Sequence, residues 1–247
     1  YFKKQEQQKW FAGETISLGI GQGYNSFTML QLAQATAVIA NNGIKHKPRL
    51  VIGTQDPVTR VMHSLPMSPA QDLGYKPENV AIIRKALHGV TQGGTATRVF
   101  AGAGYTSGGK TGTAQAVTMA AKGKYNSAKM EEHQRDHALY IAMAPAEDPR
   151  IALAVIVENA GWGAGAAAPI ARRVFDYMLM GLYPSEEDMA AVQKGMAAAP
   201  IGKPRRIGEM AALLSVVNGA PVPDVAKAAA SAALPSAAKP AVVPTPA

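Results

Sequence analysis

Two apolar segments in the second half of the chain limit the folds that this sequence can adopt. Residues 138–144 read Ala-Leu-Tyr-Ile-Ala-Met-Ala and residues 151–157 read Ile-Ala-Leu-Ala-Val-Ile-Val. Both have the length and the apolar character of buried strands. Only residues 145–150 connect them, whereas two parallel strands need a crossover of about a dozen residues or more. The sequence therefore predicts an antiparallel hairpin.

A segment rich in glycine and hydroxyl groups precedes this hairpin. Residues 105–115 read Tyr-Thr-Ser-Gly-Gly-Lys-Thr-Gly-Thr-Ala-Gln. They place the ammonium group of Lys110 and the hydroxyl groups of Ser107, Thr111 and Thr113 close together in the chain. A glycine stands on each side of the Lys-Thr pair, where it lets the backbone come close to a bound group. Such groups suit a site for an anion or a carbonyl, and two kinds of protein contain a segment of this type.

The first kind is a phosphate-binding loop. Gly104 to Thr111 fits the pattern G-x-x-x-x-G-K-[ST], in which backbone amides hold phosphates and the lysine reaches the terminal ones. Glu158, at the end of the second apolar segment, is where a metal-binding carboxylate would be sought. Two features disfavour this interpretation. Gly112 is a poor residue for the helix that would begin there, and the predicted antiparallel hairpin differs from the parallel sheet of such proteins.

The second kind is the K-T-G element of penicillin-binding proteins and serine β-lactamases. In this interpretation Lys110, Thr111, Gly112 and Thr113 lie on a strand at the edge of an active-site cleft. A peptide substrate pairs with the main chain of that strand as an additional strand. Lys110 and the hydroxyl groups of the two threonines hold a substrate carboxylate. Because three residues recur by chance in many chains, the surrounding motifs decide between the two interpretations.

Several further motifs occur in a fixed order around the K-T-G element. Residues 19–24 (Gly-Ile-Gly-Gln-Gly-Tyr), 30–33 (Leu-Gln-Leu-Ala), 40–43 (Ala-Asn-Asn-Gly) and 93–96 (Gly-Gly-Thr-Ala) precede it, and residues 135–138 (Arg-Asp-His-Ala) follow it. From about residue 10 to residue 181, this order resembles the C-terminal part of the transpeptidase domain of class B penicillin-binding proteins, above all of the elongation-specific members. The resemblance implies a partial penicillin-binding protein/β-lactamase-like transpeptidase fold. That fold is of the mixed α/β class, a mainly antiparallel sheet with helices packed on it.

The resemblance also implies a function. Class B penicillin-binding proteins are peptidoglycan D,D-transpeptidases, in which a serine attacks the D-Ala-D-Ala end of a stem peptide, the last D-Ala is released, and the acyl group passes from the serine to an amine on another strand. Serine acylation needs a nucleophile, a base and an oxyanion hole, and the resemblance makes the amide of Thr113 one oxyanion donor. It implies no cofactor and a location at the periplasmic face of the bacterial inner membrane. The implied partners are stem peptides, β-lactam antibiotics, a membrane glycosyltransferase and proteins of the elongation complex.

The nucleophile is expected to lie outside this chain. In the family, the S-x-x-K serine and lysine and the S-x-N or S-x-D motif come upstream of the segment that corresponds to residues 19–24. Residues 107–110 also spell S-x-x-K, but they overlap the K-T-G element at the start of a strand, whereas the family's serine opens a helix. We interpret this match as coincidence, and we expect the 247-residue chain alone to be inactive and to lack the membrane anchor. A serine β-lactamase and a non-catalytic sensor of the same fold remain alternatives.

Composition argues against several other functions. A net charge of +8 favours anionic partners, but the basic residues are scattered and aromatic residues make up only 6% of the chain, so we predict no nucleic-acid partner. The absence of cysteine excludes disulfides and thiolate metal sites. His133 and His137 have a helical metal-ligand spacing but lack the neighbouring glutamate of the usual zinc-binding helix. No metal site is predicted.

Helices and a further strand are expected around these motifs. A helix capped by Asn25 or Ser26 would end at residues 42–43 and bury one face through Leu32, Thr36 and Ile39. Residues 47–52 are predicted to form a strand. A second helix would begin at residue 77 with a stripe formed by Val80, Ile83, Leu87 and Val90, leaving His88 at its boundary.

The last predicted helix marks the end of the domain. It would contain Pro169 in its first turns, stop at Gly181, and carry one apolar face formed by Ile170, Val174, Tyr177 and Met178. Beyond it, residues 182–247 hold nine of the seventeen prolines and long alanine runs. Such sequence has little to bury. We therefore predict a transpeptidase part over residues 1–181 and a largely disordered tail over 182–247, with a short helix at 186–196.

Overall fold

The computed structural model describes residues 9–116, 130–196, 198–206 and 208. Its elements, in chain order, are α1 (Ala12–Gly19), α2 (Met29–Ala40), β1 (Ile44–Lys45), β2 (Gly53–Gln55), β3 (Met62–Ser64), β4 (Gln71–Asp72), α3 (Pro77–Gln92), α4 (Thr97–Phe100), β5 (Gly108–Ala114), β6 (His137–Ala144), β7 (Ile151–Val157), α5 (Gly163–Met180), β8 (Leu182–Tyr183), α6 (Glu186–Gln193) and β9 (Arg205–Arg206). A short 3-10 helix, Glu132–Gln134, precedes β6.

A three-stranded sheet in the order β5-β6-β7 forms the centre of the fold. Both pairs are antiparallel, with Lys110 opposite Ile141 and Ala144 opposite Ile151. The predicted hairpin is confirmed. The chain is thus of the mixed α/β class, with antiparallel sheets and helices packed on them.

Helices cover both faces of this sheet. On one face, α4 and α5 pack on alternate residues of β6, and the residues buried there are Ala96, Val99, Phe100, Ala138, Tyr140, Ala142, Ala144, Ala167, Ala168, Ala171 and Phe175. On the other face, α2 contacts β6 and β7, and α3 contacts β5. Met143, which alternates with the residues that face α5, is fully buried as well. The K-T-G strand therefore lies on a sheet that is packed from both sides.

The buried face of α5 differs from the predicted one. Ile170, Val174, Tyr177 and Met178 are between 38% and 58% exposed, and the helix instead buries its alanines and Phe175. Small residues let the helix axis approach the sheet, and Gly163 already lies so close that a Cβ there would be 2.3 Å from the carbonyl oxygen of Leu139. Small residues occupy this close approach near Gly163, and Phe175 is the large apolar side chain of α5 that the core buries. The predicted stop is confirmed, since Gly181 adopts a left-handed φ of 64°.

The N-terminal elements also depart from expectation in detail. Thr28, and not Asn25 or Ser26, caps α2, because the Asn25 amide instead donates to the carbonyl oxygens of Leu18 and Gln22. Residues 47–52 form no strand, and the strand lies just after them in β2, which pairs with β3. The predicted start of α3 at Pro77 is confirmed.

The stripe on α3 is buried less completely than predicted. Val80 is buried, whereas Ile83 is 47% exposed. The side chains of Leu87 and Val90 are half-buried. Burial is complete where α3 meets its neighbours, at Val80 and at Thr91.

The segment after Gly181 is more ordered than predicted. β8 pairs with β9, and Asp188 of α6, which is 1% exposed, receives two hydrogen bonds from Arg173 of α5 at 2.6 and 2.9 Å. The predicted short helix is present, but the prediction of disorder is wrong for residues 182–196 and 198–206. An ion pair and main-chain bonds hold this segment, and composition does not reveal them. Residues 117–129 and the sequence beyond residue 208 lie outside the described residues.

Candidate functional site

The K-T-G element lies on β5, at the edge of the central sheet. Within the described residues, only β6 pairs with it. Thr111, Gly112 and Thr113 continue the strand that contains Lys110, and no helix begins there. A phosphate-binding loop needs a loop that leads into a helix at this point. The phosphate-loop interpretation is therefore wrong, and the strand predicted from the K-T-G element is observed.

The register shows which backbone groups of β5 face its free edge. A Cβ built on Gly109 would lie 2.6 Å from the carbonyl oxygen of Ile141. This carbonyl therefore points from β6 towards β5. The residue opposite Ile141 on β5 is Lys110. In an antiparallel pair, the two groups of one residue point to the same side, and successive residues alternate. The amide and carbonyl of Thr111 and Thr113 consequently point away from β6, towards the free edge.

Side chains of the protein itself satisfy the outward carbonyls of Thr111 and Thr113. The ammonium Nζ of Lys110 donates to the carbonyl oxygen of Thr111 at 2.7 Å, and Nε2 of Gln22 donates to the carbonyl oxygen of Thr113, also at 2.7 Å. The hydroxyl of Thr111 lies 2.9 Å from that of Thr95. Lys110 and Thr113 are exposed. The predicted site residues are thus together on an accessible edge, with Gln22 and Thr95 as neighbours that sequence reasoning did not assign.

The glycines around Lys110 serve close packing. A Cβ at Gly108 would be 3.0 Å from the backbone nitrogen of His88 in α3, and a Cβ at Gly109 would be 2.5 Å from the hydroxyl oxygen of Tyr140. Gly112 lies close to the start of α5. A Cβ built on Gly163 would be 2.6 Å from the carbonyl oxygen of Gly112. The expectation that these glycines also admit a bound group stays a prediction. In the structure they admit neighbouring elements of the fold.

Two tyrosines support β5 from the core. Tyr140 is fully buried, its hydroxyl has no hydrogen-bond partner among the described residues, and burial raises its pKa. Tyr105 donates to Oδ1 of Asp176 at 2.8 Å, and burial, followed by the charge of Asp176, raises the pKa of Tyr105. Both phenols therefore stay protonated well into alkaline solution. Both tyrosines lie in segments that the sequence analysis described, but their roles depend on tertiary packing and on Asp176, so no role was predicted for them.

Ser107 does not have the environment of a nucleophile. Only 3% of it is exposed, and its carbonyl oxygen accepts a hydrogen bond from Thr91 at 2.7 Å and lies 2.9 Å from Nδ1 of His88. It precedes a strand and opens no helix. His88 is half-buried at the boundary of α3, as predicted.

Neither a metal cluster nor a membrane-spanning helix occurs in the part of the chain that the structure describes. There, no group of three or more His, Cys, Asp or Glu side chains has the arrangement of a metal site. His133 is exposed, and Nδ1 of His137 accepts a hydrogen bond from the backbone of Asn159. Among the same residues, no helix combines the length and the apolar character needed to cross a bilayer.

Comparison with known proteins gives this edge strand a context. The sequence model of the penicillin-binding protein transpeptidase domain matches residues 2–176. The chain belongs to this family. It is similar to the peptidoglycan D,D-transpeptidase MrdA of Haemophilus influenzae, with 37% identity over 194 residues that make up 75% of this chain and 29% of the relative. The chain thus spans less than a third of the length of this curated relative.

Solved structures agree with that assignment. One is Pseudomonas aeruginosa PBP2 in complex with WCK 5153, at 38% identity and a TM-score of 0.55, covering 72% of this chain and 35% of the other. Another is the Helicobacter pylori complex between PBP2 and MreC, at 25% identity and a TM-score of 0.55, covering 72% and 29%. The predicted resemblance to elongation-type class B penicillin-binding proteins is therefore confirmed for this part of the chain.

Proposed function

We propose that this chain forms the K-T-G side of the active site of a peptidoglycan D,D-transpeptidase. The observation that carries the proposal is the outward direction of the Thr113 main-chain groups on an exposed edge strand of the family's fold. A free strand edge offers main-chain donors and acceptors to a peptide laid alongside it. The same amide can donate to an oxyanion that develops on an acyl group at this edge.

Each residue of the edge has a separate role in the proposal. Lys110 supplies the positive charge that attracts a substrate carboxylate, and the hydroxyls of Thr111 and Thr113 donate to it. Gly112 keeps the strand flat beneath the start of α5. The amide of Thr113 is one of the oxyanion donors. None of these groups is a nucleophile, so the attacking serine and its base come from residues other than these.

The proposed substrates are the D-Ala-D-Ala stem peptides of peptidoglycan, and β-lactams acylate the same serine. The proposed setting is cell-wall elongation at the periplasmic face of the inner membrane, together with a membrane glycosyltransferase and elongation-complex proteins. The similarity to a PBP2 solved in complex with MreC supports the last of these partners.

Labelling with fluorescent penicillin tests the proposal. We expect the complete gene product to form a stoichiometric covalent adduct, and the isolated 247-residue chain to form none, because binding groups do not replace a nucleophile. Mass spectrometry of a proteolytic digest then locates the adduct.

Three results would overturn parts of the proposal. An adduct on Ser107 would show that the coincidental S-x-x-K is the nucleophile. The phosphate-loop function would be restored by a different set of results. Penicillin would not label the complete gene product, and magnesium with ATP would raise its Tm, an effect that Lys110→Ala abolishes. A labelled enzyme that rapidly releases hydrolysed penicillin would indicate a β-lactamase.

A further inference from the structure

The side chain of Gln22 occupies a position at which a substrate strand would pair. Its Nε2 donates to the carbonyl oxygen of Thr113 at 2.7 Å, across 91 residues of sequence. That carbonyl points to the free edge of β5. A peptide N–H that approached β5 as an additional strand would use the same oxygen from the same side. Gln22 therefore stands in for a substrate amide.

The loop that carries Gln22 is built to hold it there. Gly21 and Gly23 on either side have φ values of 82° and 68°, in the left-handed region that favours glycine. The backbone of Gln22 is fixed at both ends, because its N–H donates to Ser17 at 2.9 Å and its carbonyl accepts from the amide of Asn25 at 3.1 Å. The side chain thus reaches β5 from a fixed backbone.

The bond is one that a substrate can displace. Gln22 is half-buried and Thr113 is exposed, and the bond joins two neutral groups. Such hydrogen bonds contribute modestly because water replaces them when they break. Lys110 caps the next outward carbonyl, that of Thr111, in the same way. Together the two contacts cover the edge that would otherwise be open to pairing with other chains.

We propose that Gln22 is a specificity-determining cap on the substrate edge of β5, which a ligand must displace when it presents a peptide-like N–H to Thr113. This inference rests on the proposed transpeptidase function. Ligands that acylate the serine without offering such an N–H leave the cap in place. Gln22 thereby raises the dissociation constant of ligands that pair with β5 as a strand and leaves that of other ligands unchanged.

The test compares two acylating agents on the complete gene product. Benzylpenicillin carries a peptide-like N–H in its acylamino side chain, and imipenem lacks that group. In Gln22→Ala we expect the dissociation constant of the pre-covalent benzylpenicillin complex to fall roughly three- to tenfold, the range that one neutral hydrogen bond allows. The first-order rate constant of acylation by benzylpenicillin should not change. For imipenem, neither the dissociation constant nor the acylation rate constant should change.

Matched controls separate this role from a structural one. Gln34→Ala removes a similar bond from a half-buried glutamine to a backbone carbonyl, that of His46 at 3.0 Å, and should alter neither constant. Gln22→Met keeps about the length of the side chain, removes the donor without adding a charge, and should act like Gln22→Ala. Tm values of all variants show whether the loop still folds.

The outcomes distinguish the two levels of the proposal. Failure of penicillin to label the unmodified protein would sink the proposed function itself. If the protein is labelled but both Gln22 variants bind benzylpenicillin as before, or bind it more weakly, then Gln22 is no cap. A slower acylation step in both variants, with unchanged binding, would instead make Gln22 a residue that positions the Thr113 amide, and would overturn the inference.

Discussion

The central sheet and the two small sheets between α2 and α3 are all antiparallel, yet different forces hold them. β6 has buried residues on both faces, and helices pack on both sides of its sheet. From Ile44 to Asn79, in contrast, no residue is buried, and Leu50 is fully exposed. The small sheets depend on main-chain pairing and on turns such as the one at Asp56, whose carboxylate accepts from the amides of Val58 and Thr59.

This difference predicts where the molecule tolerates change. Removal of apolar area and cavity formation dominate the cost of substitution in a packed sheet, whereas local hydrogen bonds in water contribute little. The hydrogen bonds from Val58 and Thr59 lower the pKa of Asp56, which is the signature of a locally satisfied turn. The proposed substrate edge of β5 lies on the packed sheet, so its geometry is set by the part of the fold that resists change.

The sharpest test of the comparison pairs Phe175 with Leu50. Phe175 is fully buried between α5 and the sheet, and Phe175→Ala should lower the free energy of unfolding by about 3–5 kcal/mol. Leu50→Ala should change it by less than about 0.5 kcal/mol. Urea denaturation of the complete gene product measures both values, and similar losses would show that the small sheets are buried against another part of the protein.

A second prediction extends the packed region beyond Gly181. Asp188→Ala leaves the half-buried guanidinium of Arg173 without its carboxylate, and should cost roughly 3 kcal/mol of stability. Glu187→Ala, on the same first turn of α6 but exposed, is the control and should be nearly neutral. Equal, small effects would mean that residues 182–206 contribute nothing to the fold.

The third prediction concerns acylation at the edge of the packed sheet. Lys110→Ala should slow acylation by penicillin roughly 100-fold, because a charged hydrogen bond in a closed site is worth a few kcal/mol. Its Tm should stay the same, since Lys110 is exposed. Lys45→Ala on β1 removes the same charge from the small-sheet region and should leave acylation unchanged.

A companion substitution tests how Thr113 acts. Thr113→Ala should reduce acylation far less than Lys110→Ala, because the proposed oxyanion donor is the main-chain amide. Equal, severe losses from the two changes would assign the larger role to the hydroxyl. The measurement is the second-order rate of labelling by fluorescent penicillin.

The smallest effect is expected from removal of the β2–β3 hairpin. Its ends meet where the N–H of Leu65 donates to the carbonyl oxygen of Ile52 at 3.0 Å. Replacement of residues 53–64 by Asn-Gly, which favours a two-residue hairpin turn, should cost less than about 1 kcal/mol because no buried residue is lost. A drop of several degrees in Tm, or a loss of labelling, would show that this hairpin docks elsewhere in the complete protein.

The sequence allowed the functional strand to be located before its surroundings were known. The six-residue connection between two apolar segments forced an antiparallel pair, and the ordered motifs led to the transpeptidase family. The assignments to Lys110, Thr111, Gly112 and Thr113 still await mutagenesis. The buried face of α5 and the order of residues 182–196 and 198–206 were predicted wrongly, because apolar periodicity does not show where small residues allow close approach or where charges find partners.

What the sequence determined by itself rests on short-range constraints. Connection length, glycine and proline positions and motif order fixed the hairpin, the start of α3 at Pro77, the end of α5 at Gly181 and the family. Only the tertiary structure decided which groups meet across the chain. The pairing of Arg173 with Asp188, the packing of Tyr140 against Gly109 and the bond from Gln22 to Thr113 join residues that are distant in sequence. Local preferences carry no information about such contacts, because these depend on how whole elements pack.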